Sequence, residues 1–472
     1  MNNLERKKKY KLKGKIFVVI SCVICLVIGV GIGSIIPRKQ KSNNTNKDNI
    51  LLINEIMDII NTSWLDPNDD EKDKNLSQQM FKGLVSSLND PYTSYMTMDE
   101  AEDYYQSIDG DVVGIGVTFL GIEEGGLITD VFTGAPAKNA GIKSGDIIVK
   151  IDGVSVAGKT ATDIRKLVTG ESGSEVNITV LRDKKNLDFK IIRKDVETDV
   201  DYRIKNNYGY IKLTTFGSNT AEHVESVFKE LKAQNIDNLV FDLRGNGGGY
   251  TKAVEGILSL LVPDNQVIYK LQSKNDTEVI KSSGKNKYDF KNGFVLMDNN
   301  SASCSEILIG GLTEILGYKT IGTQSFGKGI AQSRATLSDG NDLKYTFAKW
   351  LTPSGICIHG KGFTPDYKVK EDDISDYVYE KFEKTYKYNS VSTNVIYMQR
   401  MLKRLGYKVD RVDGYFSKAT ESALKQFQHS IGLKEDGVYT YSLAKKLYSS
   451  TVVKVLQSGK DKGLDKVEEL LK

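Results

Sequence analysis

The stretch "FVLMDNNSASCSEILIGGLTEIL" (residues 294–316) decides the fold of the central part of the chain. Its first five residues form an apolar, strand-like run, and apolar side chains recur at helical spacing from Ile307 to Leu316. Between them, three serines and a cysteine occupy five positions, 301–305. The segment is therefore predicted to be a strand-to-helix turn, which raises the question of which of these side chains, if any, is a nucleophile.

The segments around this turn predict an α/β core. "YGYIKL" (208–213), "TAEHVESVFKELKAQ" (220–234) and "NLVFDLRGNGGG" (238–249) alternate between strand and helix patterns. Thr220 is a predicted N-cap. "YKTIGT" (318–323) predicts a further strand, followed by the glycine-bearing loop "QSFGKGIAQ" (324–332).

The N-terminal part has a different composition. At 472 residues the chain is long enough for several domains. Residues 1–41 hold ten Lys/Arg and one acidic residue, so the rest carries a formal charge of −5, which argues against a nucleic-acid partner. Residues 16–36 contain no charge and predict a transmembrane anchor, with the basic tail 1–15 in the cytoplasm and the remainder extracytoplasmic. A cleaved signal peptide is the alternative.

A polar linker (37–50) and a helical region (51–109), whose second helix ends before Asp90-Pro91, are predicted next. Two of the four cysteines, Cys22 and Cys25, lie in the apolar span. The other two, Cys304 and Cys357, are too few for a disulfide framework. Burial of apolar side chains must therefore hold the fold together.

From residue 110 short β patterns and glycines prevail. "GIGV" (114–117) and "AGIKSGDIIVKIDGVSV" (140–156) resemble a PDZ domain, a β-sandwich or barrel, over residues 110–195. The resemblance implies that Gly114, Ile115, Gly116 and Val117 form the loop that binds a peptide carboxylate, and the glycines would let backbone N–H groups converge there. A tight β turn without binding function is the alternative.

Residues 392–448 contain an internal echo, "VDGYFSKATESAL" (412–424) and "EDGVYTYSLAKKL" (435–447). Each copy places Asp-Gly and an aromatic residue before a helix pattern, which by itself predicts two turns. The segment resembles the small, all-α peptidoglycan-binding domain of cell-envelope enzymes. A helical tail is predicted at 449–472.

A serine attacks only if a base takes its proton. Of the three histidines, His223 lies on a polar position of the predicted helix 220–234 and His429 in the segment 392–448, so His359 is the candidate base. Lys328 is the alternative base, because its apolar, glycine-lined surroundings would favour the neutral amine. A cysteine hydrolase that uses Cys304 with His359 is a further alternative. The residues alone leave these alternatives open.

Four blocks in this order, "VFDLRGNGGG" (240–249), "SASCSEI" (301–307), "GTQSFGKGIAQ" (322–332) and "TPSGICIHGKGFTPD" (352–366), resemble the carboxy-terminal processing (tail-specific) proteases. This resemblance implies an α/β (crotonase-like) serine protease core at 196–375. It also implies that Ser303 is the nucleophile, Lys328 the base and Gln332 the residue that assists the base. The oxyanion hole would use the backbone N–H groups of Cys304 and Gly249, with those of Gly247 and Gly248 as rivals. No metal or cofactor is implied.

The remaining side chains of the turn are expected to be structural: Ser301 as a turn residue, Ser305 as a helix-capping hydroxyl and Glu306 as a first-turn helix charge. The resulting hypothesis is a membrane-anchored extracytoplasmic serine endopeptidase that cleaves proteins near free, apolar C-termini. Its PDZ domain would recognise the substrate or gate the active site, peptidoglycan would be a partner, and a homo-oligomer (dimer or higher) is a further expectation. The alternative function is a non-catalytic envelope adaptor that binds peptide C-termini and cell wall.

Overall fold

The computed structural model describes residues 45–63, 75–109, 111–205, 207–284, 287–371, 374 and 377–472. The chain divides into two units, Met1–Met80 and Phe81–Lys472, and all sheets of the described part lie in the second. The predicted basic tail (1–15) and membrane span (16–36) fall outside the described residues. Within those ranges, no helix combines the length and the apolar character that crossing a bilayer requires.

The described N-terminal segments are mainly helical. They are α1 (Thr45–Ser63), α2 (Leu76–Ser86), β1 (Ser94–Met96) and α3 (Met98–Asp109). The linker was expected to reach residue 50, but α1 starts at Thr45, since no Gly or Pro between 45 and 50 prevents it. The region 51–109 was expected to be helical, and its three helices agree with this expectation. The exception is β1, which pairs with residues 342–344 of the core, so a distant partner decides its conformation.

A β domain follows, at the position of the predicted PDZ domain. Its elements are β2 (Asp111–Gly114), β3 (Val117–Ile122), β4 (Gly125–Val131), α4 (Pro136–Ala140), β5 (Ile147–Ile151), β6 (Val154–Ser155), α5 (Ala161–Val168), β7 (Glu175–Arg182), β8 (Lys185–Ile192) and β9 (Lys194–Glu197). The main sheet has the order β3-β4-β5-β7-β8, and β2 pairs with β9. Thr160 and Asp163 form a capping box that starts α5. In the described part of the domain, β3 is an edge strand with α5 packed beside it.

The α/β core contains two sheets. Its elements are β10 (Val200–Lys205), β11 (Tyr208–Leu213), α6 (Thr220–Ala233), β12 (Asn238–Asp242), α7 (Thr251–Leu261), β13 (Val267–Ser273), β14 (Thr277–Lys281), β15 (Asn292–Met297), α8 (Cys304–Leu316), β16 (Lys319–Gly322), β17 (Ile330–Thr336), β18 (Asp342–Leu351) and β19 (Tyr367–Lys368). One sheet has the order β10-β11-β12-β15-β16-β19 and is parallel apart from β10. Helices α6, α7 and α8 bury one face of it. The other sheet has the order β1-β18-β13-β14, with β17 paired to β18.

The predicted order of strands and helices is confirmed, and one cap prediction is wrong. The N-cap of α6 is Asn219, and Thr220 is the first helical residue. The Thr220 hydroxyl accepts a hydrogen bond from Gly217 N (2.8 Å) and donates one to the buried Asp199 (2.5 Å). Through these two hydrogen bonds the Thr220 side chain stabilises the turn before α6 and links it to Asp199, which precedes β10. The hydroxyl is therefore engaged by these partners and does not cap α6.

The C-terminal module is helical and repeats one turn. Its helices are α9 (Thr393–Leu405), α10 (Lys418–Ser430), α11 (Tyr441–Gln457) and α12 (Lys462–Leu470). Gln399 of α9 accepts a hydrogen bond from Gly414 N (3.1 Å), and Gln428 of α10 accepts one from Gly437 N (3.0 Å). The internal echo of the sequence is therefore confirmed as two turns that each dock on a buried glutamine.

The last two helices return to the rest of the molecule. On α11, Val452 packs against Leu127 and Ile147 of the β domain. On α12, Leu464 and Val467 cover the face of the six-stranded sheet opposite to α6, α7 and α8. The chain therefore leaves the α/β core, folds the helical module and comes back to complete the core.

An ionic cluster fixes this return. Arg244, which follows β12, pairs with Asp242 (2.6 Å), with Asp461 at the N-cap of α12 (2.8 Å) and with Glu371 (3.1 Å). Burial opposes the charge of Arg244, but the carboxylates outweigh it and raise its pKa. The start of α12 is therefore held against the loop that follows β12.

The contribution of α12 to stability is testable. Leu464→Ala should lower the free energy of unfolding by about 2–4 kcal/mol, because it removes buried apolar contacts from a covered sheet face. Leu433→Ala is the matched control, since Leu433 is exposed, and should change stability by less than about 0.5 kcal/mol. Chemical denaturation followed by tryptophan fluorescence measures both; equal effects would show that α12 does not stabilise the core.

Candidate active site

The turn between β15 and α8 presents one serine to a cavity. Ser303 has φ 57° and ψ −117°, a conformation that is rare for residues other than glycine. Ser301 Oγ donates to Leu243 O (2.8 Å) and Ser305 Oγ donates to Asn246 O (2.9 Å), and both serines are fully buried. Ser303 is half-buried and lines a cavity of about 960 Å³. Of the three serines, only Ser303 has its hydroxyl open to a ligand.

The expected role of Ser301 as a turn residue is confirmed, because its N–H donates to Asp298 O (3.1 Å). The expected capping role of Ser305 is wrong. Ser303 occupies the N-cap position of α8, and Ser305 lies inside the first turn. Its hydroxyl is therefore free to bond the neighbouring glycine loop.

The glycine loop after β12 approaches the turn closely. Asn246 Nδ2 donates to Leu213 O (2.9 Å), and Asn246 Oδ1 accepts from Gly248 N (2.8 Å). Gly248 has φ 111°, and a Cβ atom there would lie 2.8 Å from Ser303 Cβ. Only glycine therefore allows the loop this close to Ser303.

The predicted oxyanion donors are compatible with this geometry. Among the described residues, the N–H groups of Cys304 and Gly249 donate no hydrogen bond, so both remain available. The N–H group of Gly248 is occupied by Asn246. Of the three glycines predicted as candidates for the second oxyanion donor, Gly249 and Gly247 therefore remain. The N–H group of Gly247 is also unoccupied among the described residues.

Lys328 lies in the same cavity as Ser303. Burial, followed by the nearby charge of Lys344, lowers the pKa of Lys328 below its ordinary value. Its Nζ donates to Gln332 Oε1 (2.8 Å), so the predicted base and its predicted assistant are in contact. The described hydrogen bonds do not include one between Lys328 Nζ and Ser303 Oγ. Catalytic hydrogen bonds commonly tighten only when substrate binds.

A residue far away in sequence fixes the orientation of Gln332. Gln332 Nε2 donates to the backbone carbonyl of Tyr92, in the turn before β1. A carbonyl oxygen only accepts hydrogen bonds, so the amide must present its NH₂ group to Tyr92 and its oxygen to Lys328. Sequence reasoning missed Tyr92, and no local signal pointed to it.

Glu306 links the serine turn to the lysine loop. Its carboxylate accepts hydrogen bonds from Ser303 N (3.0 Å), Ser325 Oγ (2.6 Å), Gly327 N (2.7 Å) and Lys328 N (2.8 Å). Burial raises its pKa, and these donors oppose the shift by favouring the carboxylate. The expectation of an ordinary first-turn helix charge was therefore incomplete: Glu306 is fully buried and holds both segments. Its place three residues after the N-cap was the available signal.

The alternative of a cysteine nucleophile is contradicted. Burial raises the pKa of the Cys304 thiol to about 12, and its Sγ donates to Gly249 O (3.1 Å). His359 is exposed and contacts the ring of Tyr92. A buried thiol whose pKa is raised is a poor nucleophile, because the thiolate is the attacking form. Cys304 and Cys357 are both free.

In the β domain, the predicted carboxylate loop connects β2 to β3. Ile115 and Gly116 donate no hydrogen bond from their N–H groups to a described residue. Gly116 has φ 75°, and a Cβ atom there would lie 2.3 Å from Ala135 Cβ. A groove of about 390 Å³ runs from Gly114 and Val117 along the edge strand β3 to α5. The structure therefore brings all four predicted loop residues to one end of this groove.

Comparisons with known proteins agree with this arrangement. The model of peptidase family S41 matches residues 207–369, that of the PDZ domain matches 113–192, and that of a peptidoglycan binding domain matches 391–447. A "Probable CtpA-like serine protease" of Staphylococcus haemolyticus is 32% identical over 478 residues, which is 100% of this chain and 95% of that protein. One of the same name from Staphylococcus epidermidis is 32% identical over 435 residues, 91% of this chain and 88% of that one.

Similar solved structures include the photosystem II D1 C-terminal processing protease. It is 25% identical in sequence, with a TM-score of 0.41, and the match covers 67% of this chain and 86% of that one.

The role of Glu306 generates a prediction. Glu306→Gln replaces one acceptor oxygen by an NH₂ group that faces N–H and O–H donors, so the two segments should separate. We expect the rate of peptide cleavage to fall by about 5- to 150-fold, since an unsatisfied buried donor costs about 1–3 kcal/mol. The measurement is kcat on an unfolded protein substrate, with circular dichroism to verify folding.

The matched control is Glu314→Gln on the same helix. Glu314 is exposed and accepts from a single backbone group, Ser354 N (2.8 Å). Its kcat should stay within about twofold of wild type. If Glu306→Gln behaved in the same way, the carboxylate would not be what holds Ser303 and Lys328 together.

Proposed function

The chain belongs to the CtpA-like serine proteases of peptidase family S41, and from this premise we propose that it cleaves proteins near their C-termini with Ser303 as nucleophile, Lys328 as general base and Gln332 as the residue that orients the base. The observation that carries the proposal is geometric: half-buried Lys328, which donates through Nζ to Gln332 Oε1 (2.8 Å), lines the same cavity as the one serine of the turn that is open to a ligand. Burial also lowers the pKa of Lys328. A neutral amine in that place is a competent base at neutral pH.

The reaction follows from these positions. Lys328 Nζ takes the proton of Ser303 Oγ as the oxygen attacks the peptide carbonyl. The N–H groups of Cys304 and Gly249 donate to the developing oxyanion, which they can do because no described residue occupies them. The lysine ammonium then returns the proton to the departing amine, and water hydrolyses the acyl-enzyme with Lys328 again as base. Gln332 Oε1 holds Nζ in place throughout.

We further propose that the PDZ domain binds a free, apolar C-terminus of the substrate or gates access to the active site. The groove beside the edge strand β3 supports this, because an extended peptide can add to an unpaired edge. The unoccupied N–H groups of Ile115 and Gly116 are suitable donors for a carboxylate. Ile115, Val117 and Phe119 give this region an apolar character.

The proposed setting is the cell envelope of a bacterium with accessible peptidoglycan. The module at 391–447 supports binding to cell wall, and the uncharged stretch 16–36 supports a single membrane anchor with the protease outside. Self-association is proposed from α1, whose apolar side chains Leu51, Leu52, Ile56 and Ile59 are exposed.

The proposed catalytic residues are tested by substitution in the full-length chain. Ser303→Ala and Lys328→Ala should each lower cleavage of an unstructured protein with an apolar C-terminus by more than about 1,000-fold while leaving the fold intact. Cys304→Ala should still cleave, because only its backbone N–H takes part. Normal cleavage by Lys328→Ala would refute the proposed mechanism. Inertness of the wild type on several substrates would favour the adaptor function.

The lowered pKa of Lys328 also predicts a dependence of stability on pH. In the unfolded chain this lysine has a pKa of about 10.4. Between the lower folded value and the unfolded one, folding releases a proton, so stability rises with pH in this window. Lys328→Met has no titrating group at this position and so loses this pH-dependent contribution to stability. It should therefore be more stable than wild type at neutral pH, and the difference should shrink as the pH approaches about 10.

Thermal denaturation between neutral pH and about pH 10 measures this difference. Lys434→Met, at an exposed position, is the control and should follow the wild-type curve. A constant offset between Lys328→Met and wild type would mean that Lys328 titrates normally in the folded protein.

A further inference from the structure

The turn that connects α2 to β1 is rigidly tied to the catalytic region. Asp90 Oδ1 accepts from Tyr92 N (3.0 Å), and Asp90 Oδ2 accepts from Thr93 Oγ1 (2.6 Å). The same threonine oxygen accepts from Thr346 N of β18 (3.1 Å), and β1 pairs with β18 directly after the turn. Pro91 restricts the backbone further. Tyr92 is therefore fixed relative to β17 and β18, which lie beside the cavity.

The backbone carbonyl of Tyr92 contacts Gln332, and its ring contacts Lys328, the proposed base. Its carbonyl accepts from Gln332 Nε2, and its ring centre lies 5.0 Å from Lys328 Nζ. The hydroxyl of Tyr92 has no hydrogen-bond partner among the described residues. The ring therefore meets the lysine with its aromatic surface, and the hydroxyl contributes no hydrogen bond to the arrangement.

We propose that the aromatic ring of Tyr92 supports catalysis by stabilising the ammonium form of Lys328 at the moment when Lys328 holds the proton of Ser303. This inference rests on the proposed Ser-Lys function. In the step concerned, the O–H bond of Ser303 breaks and the proton moves to the lone pair of Lys328 Nζ. The electron pair left on Oγ forms the bond to the substrate carbonyl carbon, and the proton later passes to the departing amine.

The ring of Tyr92 stabilises the ammonium form of Lys328 more than its neutral amine. The face of an aromatic ring attracts a cation electrostatically, and it attracts a neutral amine far less. An interaction that is stronger in the transition state than in the ground state raises the rate. Burial lowers the pKa of Lys328 and so favours the neutral amine, and the Tyr92 ring, 5.0 Å from Nζ, offsets part of that penalty once the positive charge develops.

The other groups that act on the charge of Lys328 come from three elements. Lys344 of β18 opposes the positive charge. Cys304 of α8, Asp90 of the turn and Glu306 of α8 favour it, in that order. Apart from Gln332, which accepts from Nζ, none of these makes a described hydrogen bond to Nζ. The ring is thus a close, fixed partner, whereas the charges act over distance.

The test varies the electrostatic potential of the ring at constant shape. Phenylalanine and its 4-fluoro, 3,5-difluoro and 3,4,5-trifluoro analogues are placed at position 92 of the full-length chain, and kcat/KM is measured against pH. Tyr92→Phe, which keeps the ring face over Lys328, is the reference of the series, and its kcat/KM sets the baseline for the fluorinated rings. With each fluorine, the alkaline plateau should fall, by about two- to tenfold in total, because the ring attracts the ammonium less.

The acidic limb of the profile supplies the second readout. Loss of attraction for the ammonium lowers the pKa of Lys328, so the limb should move to lower pH by up to about one unit. Tyr92→Leu should show both effects at full size. A ring that only fills space would leave the limb and the plateau unchanged along the fluorine series, and that result would overturn the inference.

A failure of the proposed function is distinguishable in the same experiment. If Ser303→Ala or Lys328→Ala cleaved like wild type, the Ser-Lys function would be wrong, and the inference about Tyr92 would fall with it. If both were inactive and the fluorine series were flat, the function would stand and only the role of the ring would be refuted.

Discussion

The active-site arrangement depends on one buried carboxylate. Glu306 carries a negative charge into a place without solvent, and burial of a charge is tolerated only when hydrogen bonds replace the lost water. Four donors from two segments do so here, which ties the N–H of Ser303 to the loop of Lys328. The proposed nucleophile and the proposed base are thus placed by a common anion, which also holds the strained backbone of Ser303.

On the other side of Ser303, hydrogen bonds of neutral groups, those of Asn246, organise the glycine loop. The side-chain amide of Asn246 donates to Leu213 O at the end of β11 and accepts from Gly248 N. Its backbone carbonyl accepts from Ser305 Oγ in the serine turn. Because its side chain already occupies the N–H of Gly248, it selects which glycine donors stay available for an oxyanion. The loop is therefore organised by hydrogen bonds that leave specific groups unpaired, a common basis of preorganised electrostatics in hydrolases.

The sequence predicted most of the architecture because strands, helices and the serine turn have local patterns. It also predicted Ser303, Lys328 and Gln332, through motifs that are short and contiguous. What it missed is non-local. β1 is a strand only because β18 pairs with it, Tyr92 meets Gln332 across 240 positions, and α12 covers a sheet whose first strand begins more than 200 residues earlier. Propensity and spacing carry no information on such pairings.

The chain returns to the α/β core after the helical module, and this return determines how the module is attached to the protease. It is not an appendage at the end of the protease but an insertion between β19 and α12, with both of its ends fixed to folded parts. Truncation before α9 would therefore remove the cover of a sheet together with the module. A mechanical load applied to the module would reach the protease through two attachments, one to the β domain at Val452 and one at the ionic cluster of Arg244.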